Sequence, residues 1–289
     1  MKDERFIGTG VAVITPFLEN ENIDEKALEQ IINKLIYGGV EYLVIMGTTG
    51  ESVTLTKEEK QEVVNIARET IDGRVPFVLG IGGNNTKELA SQIEKTDFEG
   101  IDAILSVSPY YNKPSQNGIY EHYKYLAAAS PLPLILYNVP GRTNSNMLPE
   151  TTIRLANDVA NIIGIKEASG NFDQCMRIIK EKPEDFLVIS GDDNYTLPYM
   201  SIGMDGVISV VANAYPKEFS DMVRSCLKGD YEKAREIHYS VLDVMNAIFA
   251  EGNPAGIKAL MEIQGICKNI VRMPLATISE NLYLKLKAF

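Results

Sequence analysis

Short apolar runs recur along the first 210 residues, and this recurrence limits the fold more than any other feature of the sequence. The runs are residues 11–15, 42–46, 75–80, 103–107, 132–137, 162–166, 186–190 and 206–210. Most are nearly continuous in hydrophobicity, which is typical of parallel strands that are covered on both faces. Amphipathic stretches with helix start signals lie between them, as at Asp24 and at Thr56 with Glu59. The pattern therefore predicts eight strand-then-helix units.

Units of this kind form either a doubly wound sheet or a closed barrel. A chain of 289 residues is close to the usual length of one barrel, and no linker divides it into halves. No glycine-rich phosphate loop opens the first helix, as it would in a nucleotide-binding sheet. We therefore expect an α/β fold, a (β/α)8 TIM barrel with an additional C-terminal helical region, in one domain of residues 1–289.

The barrel is expected to span about residues 8–228, with C-terminal helices over about 229–289. In this last part the strand signals disappear, and the pattern predicts helices over residues 231–250 and 254–268. We expect these helices to pack beside the barrel.

Charge and composition limit which partners and which cellular compartment suit this protein. The net charge of −11 comes without a cluster of Lys and Arg, which disfavours nucleic acid as a partner. No apolar segment suits a signal peptide or a membrane span, and the three cysteines are widely separated, as is typical of reduced thiols. We expect a cytoplasmic protein without a membrane partner. The two histidines, His122 and His238, fall in helical stretches and support no metal site.

Lys166 is the strongest candidate for chemistry. Active sites of such barrels form at the C-terminal ends of the strands, and Lys166 closes the sixth apolar run. Its stem should enter the barrel among apolar side chains, where burial favours the neutral amine that can attack a ketone. The alternative is a lysine that reaches solvent or pairs with Glu167. Because other polar residues also end strands in this chain, we favour Lys166 as a nucleophile that forms an imine.

Other strand ends supply groups that suit such a nucleophile, although each also has a purely structural interpretation. Tyr137 ends the fifth run and can exchange protons with a lysine-bound intermediate, or it is a core tyrosine. Thr48 and Thr49 lie between two glycines, where hydroxyls and exposed backbone amides can dock a carboxylate, or the segment is only a turn. Arg142 follows a Pro-Gly turn, and its planar guanidinium suits a carboxylate or a surface salt bridge.

Taken together, the strand-end motifs resemble a known family. They are residues 47–52 (GTTGES), 108–114 (SPYYNKP), 137–143 (YNVPGRT), 164–168 (GIKEA) and 190–193 (SGDD). In this order they resemble 4-hydroxy-tetrahydrodipicolinate synthases, also called dihydrodipicolinate synthases, in the superfamily of class I pyruvate aldolases and N-acetylneuraminate lyases. The resemblance covers the chain from about Gly8 to the C-terminal helices.

The resemblance implies condensation of pyruvate with L-aspartate 4-semialdehyde through a Schiff base on Lys166, in diaminopimelate and lysine biosynthesis. Tyr137 would transfer the proton and would be linked through Thr48 to Tyr111. In this family that second tyrosine reaches across from a neighbouring subunit, and the enzyme is usually a homotetramer built from tight dimers. No cofactor and no metal are implied.

The resemblance also assigns the substrate contacts. Thr49 would hold the carboxylate of pyruvate near the backbone of Ile208, and Gly191 would belong to the same substrate site. Arg142 would receive the carboxylate of the semialdehyde at the mouth of the barrel.

Two other functions remain open at this point. The first is an aldolase or lyase that cleaves a 2-keto-3-deoxy sugar acid or N-acetylneuraminate with the same imine chemistry. Arg142 argues against it, because the sialic-acid lyases lack this arginine and commonly carry Ser-Thr in place of Thr48-Thr49. The second is a catalytically silent oligomeric scaffold, which the joint presence of the lysine, the tyrosine and the threonine disfavours.

Feedback-inhibited members of the family bind lysine between subunits. This chain matches part of that site, but two lysines stand where some lysine-sensitive members carry histidines, and two extra cations should repel a cationic effector. We therefore expect weak or absent inhibition by lysine. The matching residues are Ser52, Asn84, Glu88 and Tyr110, and the disfavouring ones are Lys57 and Lys60.

Overall fold

Eight parallel strands pair in sequence order and close into a barrel in the computed structural model, which describes residues 1–289. The strands are β1 (Gly8–Ala12), β2 (Tyr42–Ile45), β3 (Phe77–Gly80), β4 (Ala103–Val107), β5 (Leu134–Asn138), β6 (Ile162–Glu167), β7 (Leu187–Ser190) and β8 (Gly206–Ser209). The predicted (β/α)8 TIM barrel is confirmed.

Most strands lie within two residues of their predicted bounds, but β1 begins three residues earlier than predicted. The apolar pattern placed it at residues 11–15, whereas Gly8 to Val11 pair with β8. The start of β1 could not be predicted from the apolar pattern, because glycines contribute no apolar side chain to it. Their size is required here, since a Cβ on Gly10 would lie 2.2 Å from the ring of Tyr42.

The helices that follow the strands begin at the predicted caps. Asp24 caps the first helix, and Thr56 with Glu59 forms a capping box on the second. The helices of the barrel are α1 (Glu25–Tyr37), α2 (Lys57–Ile71), α3 (Thr86–Lys95), α4 (Gln116–Ala129), the short α5 (Pro140–Thr143), α6 (Pro149–Asp158), α7 (Phe172–Glu181), α8 (Thr196–Ser201) and α9 (Pro216–Leu227).

The strands separate two apolar layers. Outward-facing residues such as Leu134 and Leu136 join the large core between strands and helices. Their neighbours Ile135 and Tyr137 face the interior of the barrel, in a second cluster with Ile208. This alternation fixes which strand residues can reach the interior, and therefore which ones can line a site at its mouth.

The C-terminal region forms α10 (Tyr231–Phe249), α11 (Ala255–Ile263) and α12 (Glu280–Lys287). The helix predicted over residues 254–268 was wrong at its end, because the chain turns at Gly265, whose φ is +72°. α10 packs on α9, as expected for helices beside the barrel. No helix of the structure combines the length and apolar character needed to cross a membrane.

A buried ion pair joins this region to the loop after β2. Lys258 on α11 and Glu51 have no exposed side-chain surface, and Lys258 Nζ donates to a carboxylate oxygen of Glu51. Nζ also donates to the carbonyl oxygen of Ile270 at 2.8 Å, and the backbone N–H of Arg272 donates to Glu51 Oε2 at 3.0 Å. The pair is fully enclosed, so either charge alone would be buried without compensation.

Lys258→Met should lower the free energy of unfolding by about 3–5 kcal/mol, because it leaves the Glu51 carboxylate buried without its cation. Chemical denaturation measures this difference. Lys268→Met is the matched control, since Lys268 pairs with Glu19 on the surface at 2.8 Å and should change stability by less than about 1 kcal/mol. Adding Glu51→Gln to Lys258→Met should recover part of the loss. Equal, small effects of the two single substitutions would contradict this account.

Candidate active site

Lys166 lies near the C-terminal end of β6 with only 5% of its surface exposed. In the register of the barrel it stands beside Tyr137 on β5 and Ile189 on β7. Both neighbours face the barrel interior, so Lys166 does too. It therefore does not reach solvent, and no ion pair joins it to Glu167.

Tyr137 and Gly191 flank the lysine directly. Lys166 Nζ lies 4.4 Å from the centre of the Tyr137 ring, and Tyr137 is itself buried. A Cβ on Gly191 would lie 3.1 Å from Lys166 Cε and 2.5 Å from the Cβ of Ala168, so a side chain there would intrude on the lysine stem. The glycine thus leaves room beside the amine.

Polar residues on the outer face of the same strands hold β5 against β6. Asn138 Nδ2 donates to Glu167 Oε2 at 3.0 Å, and Gln174 Nε2 donates to the same oxygen at 3.0 Å. Glu167 Oε1 accepts from the N–H of Ser169 at 2.8 Å. Burial raises the pKa of Glu167, while these hydrogen bonds oppose that shift. Asn138 directly follows Tyr137, and Glu167 directly follows Lys166. The network therefore fixes the register of Tyr137 against Lys166.

Two adjacent carboxylates follow β7. Asp193 is buried, and its Oδ2 accepts from the N–H groups of Val210 and Val211 at 3.0 and 3.2 Å, which anchors the chain just after Ile208 on β8. Asp192 has a buried Oδ2 without a hydrogen-bond partner. Burial raises the pKa of Asp192 to about 6, and the nearby positive charge of Lys166 opposes this shift.

The structure also places the predicted carboxylate-binding residues at this end of the barrel. Thr48 and Thr49 follow β2, with Thr48 exposed and Thr49 buried. Thr49 Oγ1 accepts a hydrogen bond from Asn253 Nδ2 at 3.0 Å. Ile208, on β8, is buried in the interior cluster that also holds Tyr137.

Two predicted residues lie at the rim. Arg142, in α5, is exposed and its side chain makes no hydrogen bond or ion pair within the chain. Tyr111 has 89% of its surface exposed and a φ of +67°, a conformation that bulky residues rarely adopt. Within one chain no hydrogen bond links Tyr137, Thr48 and Tyr111.

The residues predicted for lysine binding lie near this rim. Asn84 and Tyr110 hold each other through two hydrogen bonds between the Asn84 amide and the Tyr110 backbone, at 2.8 and 2.9 Å. Glu88 is exposed on α3, and Ser52 is half-buried after β2. The two disfavouring lysines, Lys57 and Lys60, stand in the first turn of α2.

Several residues of the site gave no sequence signal. Asn253 and Lys258 lie 204 and 207 residues from the loop residues that they contact. Glu167, Asn138 and Asp193 were visible as polar strand ends, but nothing in the sequence showed their hydrogen-bond partners.

The site thus holds a buried primary amine against a tyrosine ring, with threonine hydroxyls in the loop after β2 at the same end of the barrel. Comparisons with known proteins agree with this chemistry. A profile of the dihydrodipicolinate synthetase family matches residues 5–289.

A 4-hydroxy-tetrahydrodipicolinate synthase of Flavobacterium psychrophilum is 52% identical over 99% of this chain and 98% of its own length. The crystal structure of dihydrodipicolinate synthase from Aquifex aeolicus superposes with a TM-score of 0.94 at 40% identity, covering 98% of this chain and 96% of the other. The structure of the enzyme from Cyanidioschyzon merolae with lysine bound superposes with a TM-score of 0.94 at 37% identity. The match covers 98% of this chain and 97% of the other.

Asp192→Asn should stabilise the protein more at about pH 8 than at about pH 4.5, by a difference on the order of 1–2 kcal/mol. The folded-state pKa lies above the unfolded value, so the wild-type carboxylate is ionised and unfavourably buried at high pH and becomes protonated as the pH falls through about 6. Urea unfolding at both pH values measures the difference. Asp243→Asn, on the exposed face of α10, serves as the control and should show no such dependence. A stability change that is the same at both pH values would show that Asp192 is not an uncompensated buried acid.

Proposed function

This chain belongs to the dihydrodipicolinate synthetase family, and we propose that it condenses pyruvate with L-aspartate 4-semialdehyde to give 4-hydroxy-tetrahydrodipicolinate, as a class I, Schiff-base enzyme of the lyase type. The observation that carries the proposal is the burial of Lys166 against Tyr137 at the C-terminal end of the barrel. The product enters diaminopimelate and lysine biosynthesis.

The chemistry begins when the amine of Lys166 attacks the ketone of pyruvate and water leaves, giving a Schiff base. The iminium is an electron sink, so the methyl group can lose a proton and form an enamine without a metal. The enamine carbon attacks the aldehyde of the semialdehyde and forms the new carbon–carbon bond. The amino group of the adduct then attacks the imine carbon, which closes the ring and releases Lys166.

The proposed roles of the other residues follow from their positions. Tyr137 is the proton donor and acceptor, because its ring packs against the lysine amine. Thr49, the backbone of Ile208 and the space above Gly191 receive pyruvate and its carboxylate. Arg142 receives the carboxylate of the semialdehyde, and its exposed guanidinium, free of partners within the chain, supports this role.

We propose that the working enzyme is a homotetramer or a tight dimer in which Tyr111 of one subunit completes the proton relay of its neighbour through Thr48. The exposure of Tyr111 and its left-handed backbone support this arrangement, since such conformations persist where function or packing requires them. We further propose that residues 1–289 work as one domain and that the enzyme acts in the cytoplasm. All three cysteines are free thiols, which supports a reducing compartment.

Lys166→Ala should abolish the pyruvate-sized mass gain that sodium borohydride leaves on the wild type, because the substitution removes the amine that forms the imine. Intact-mass spectrometry measures the adduct, and a coupled assay measures turnover with the semialdehyde. Lys180→Ala, on an exposed position of α7, is the matched control and should keep both. A wild type that forms the adduct but shows no turnover with the semialdehyde would indicate a sugar-acid aldolase instead. A wild type that forms no adduct would contradict the imine mechanism.

L-lysine should inhibit this enzyme weakly or not at all, although Ser52, Asn84, Glu88 and Tyr110 match part of the effector site. The ammonium groups of Lys57 and Lys60, at the start of α2, repel the positively charged side chain of free lysine. An inhibition titration in the coupled assay measures the effect, and the double variant Lys57→Ala/Lys60→Ala should be more sensitive than the wild type. Half-maximal inhibition of the wild type at submillimolar lysine would refute the prediction.

A further inference from the structure

Asn253, in the loop between α10 and α11, reaches across to the loop that follows β2. Its Nδ2 donates to Thr49 Oγ1 at 3.0 Å, over a separation of 204 residues in the chain. Asn253 is 8% exposed and Thr49 is 2% exposed, so the contact is inside the protein. Buried polar contacts of this kind are more rigid than those on the surface, because water does not compete for them.

The contact turns the hydroxyl hydrogen of Thr49 away from Asn253. A hydroxyl that accepts a hydrogen bond through one lone pair still has its hydrogen to donate. Thr49 makes no hydrogen bond as a side-chain donor within the chain, so its proton is left for a ligand. A carboxylate accepts hydrogen bonds and donates none, and is therefore the ligand chemistry that this arrangement suits.

The amide of Asn253 is itself incompletely bonded. Its Oδ1 is buried and accepts no hydrogen bond from another residue of the chain. Most buried acceptors in proteins are hydrogen-bonded, so an oxygen left unpaired within the chain calls for an explanation. The amide presents its donor side to Thr49 and leaves its oxygen unpaired within the chain.

A second contact from the same region holds the other side of the loop. Lys258, on the first turns of α11, pairs with Glu51, two residues after Thr49. The C-terminal region thus holds the loop through two buried side chains, the carboxylate of Glu51 and the hydroxyl of Thr49. Thr49 cannot easily shift or rotate without breaking one of these buried contacts.

We propose that Asn253 is a positioning residue that turns the hydroxyl hydrogen of Thr49 toward the carboxylate of pyruvate. This inference rests on the proposed function, since it takes pyruvate as the ligand of Thr49. Its consequence is that the C-terminal helical region, which lies outside the barrel, sets the affinity of the site for its keto acid.

The test is the steady-state kinetics of Asn253→Ala, with pyruvate as the varied substrate. The KM for pyruvate should rise about tenfold while kcat changes less than about twofold, because the lost contact acts on binding of the carboxylate. Asn253→Asp should raise KM further, since an isosteric carboxylate accepts the hydroxyl hydrogen of Thr49 and turns it away from the substrate. Asn246→Ala, exposed on α10, is the control and should match the wild type.

A double-mutant cycle separates this role from a general structural one. In a Thr49→Val background, Asn253→Ala should raise KM by less than about twofold, because the hydroxyl that it orients is already gone. An unchanged KM in the single variants, a loss confined to kcat, or fully additive effects with Thr49→Val would overturn the inference. A wild type that gains no pyruvate adduct under borohydride would instead overturn the proposed function itself.

Discussion

Pairing of β1 with β8 closes the barrel, and the geometry of the site depends on that closure. Gly8 to Val11 lie beside Gly206 to Ser209 in parallel register. The strands come so close that a Cβ on Gly206 would lie 2.0 Å from the carbonyl oxygen of Gly8. Glycine is therefore required at this seam. Closure brings Ile208, late in the barrel, onto the same interior surface as residues of the early strands.

Within the closed barrel, alternation along the strands separates chemistry from support. Lys166 and Tyr137 face inward, while Glu167 and Asn138, one residue later, face outward and bond to each other. The side chain of Lys166 makes no hydrogen bond within the chain, so no such bond has to break before its amine meets a ligand. The side chains of Asn138 and Glu167 are held in place, because each of their polar atoms makes a hydrogen bond. A single strand end thus supplies both the proposed nucleophile and the side chain that holds it in place.

This division explains what the sequence could predict. Lys166 and Tyr137 were accessible because both end continuous apolar runs, and parallel strands gather their C-terminal ends at one rim. The start of β1 was not accessible, because Gly8 and Gly10 are chosen for closeness and give no apolar signal. The pairs Asn253–Thr49 and Lys258–Glu51 were also hidden, since a polar residue on a helix or loop does not indicate its partner some 200 residues away.

These long-range pairs change how the C-terminal helices are understood. Packing beside the barrel would need only an apolar face, and α10 provides one against α9. Glu51 and Lys258 are instead fully buried charges, which an apolar pair of similar volume could replace without loss of stability. What an apolar pair would not provide is a single defined position for the loop, because charges and hydrogen bonds are directional. The backbone of Glu51, with a φ of +53°, is held in a left-handed conformation at the same place. The strain and the buried charge both lie within three residues of Thr48 and Thr49, the residues proposed to place hydroxyls at the substrate carboxylate.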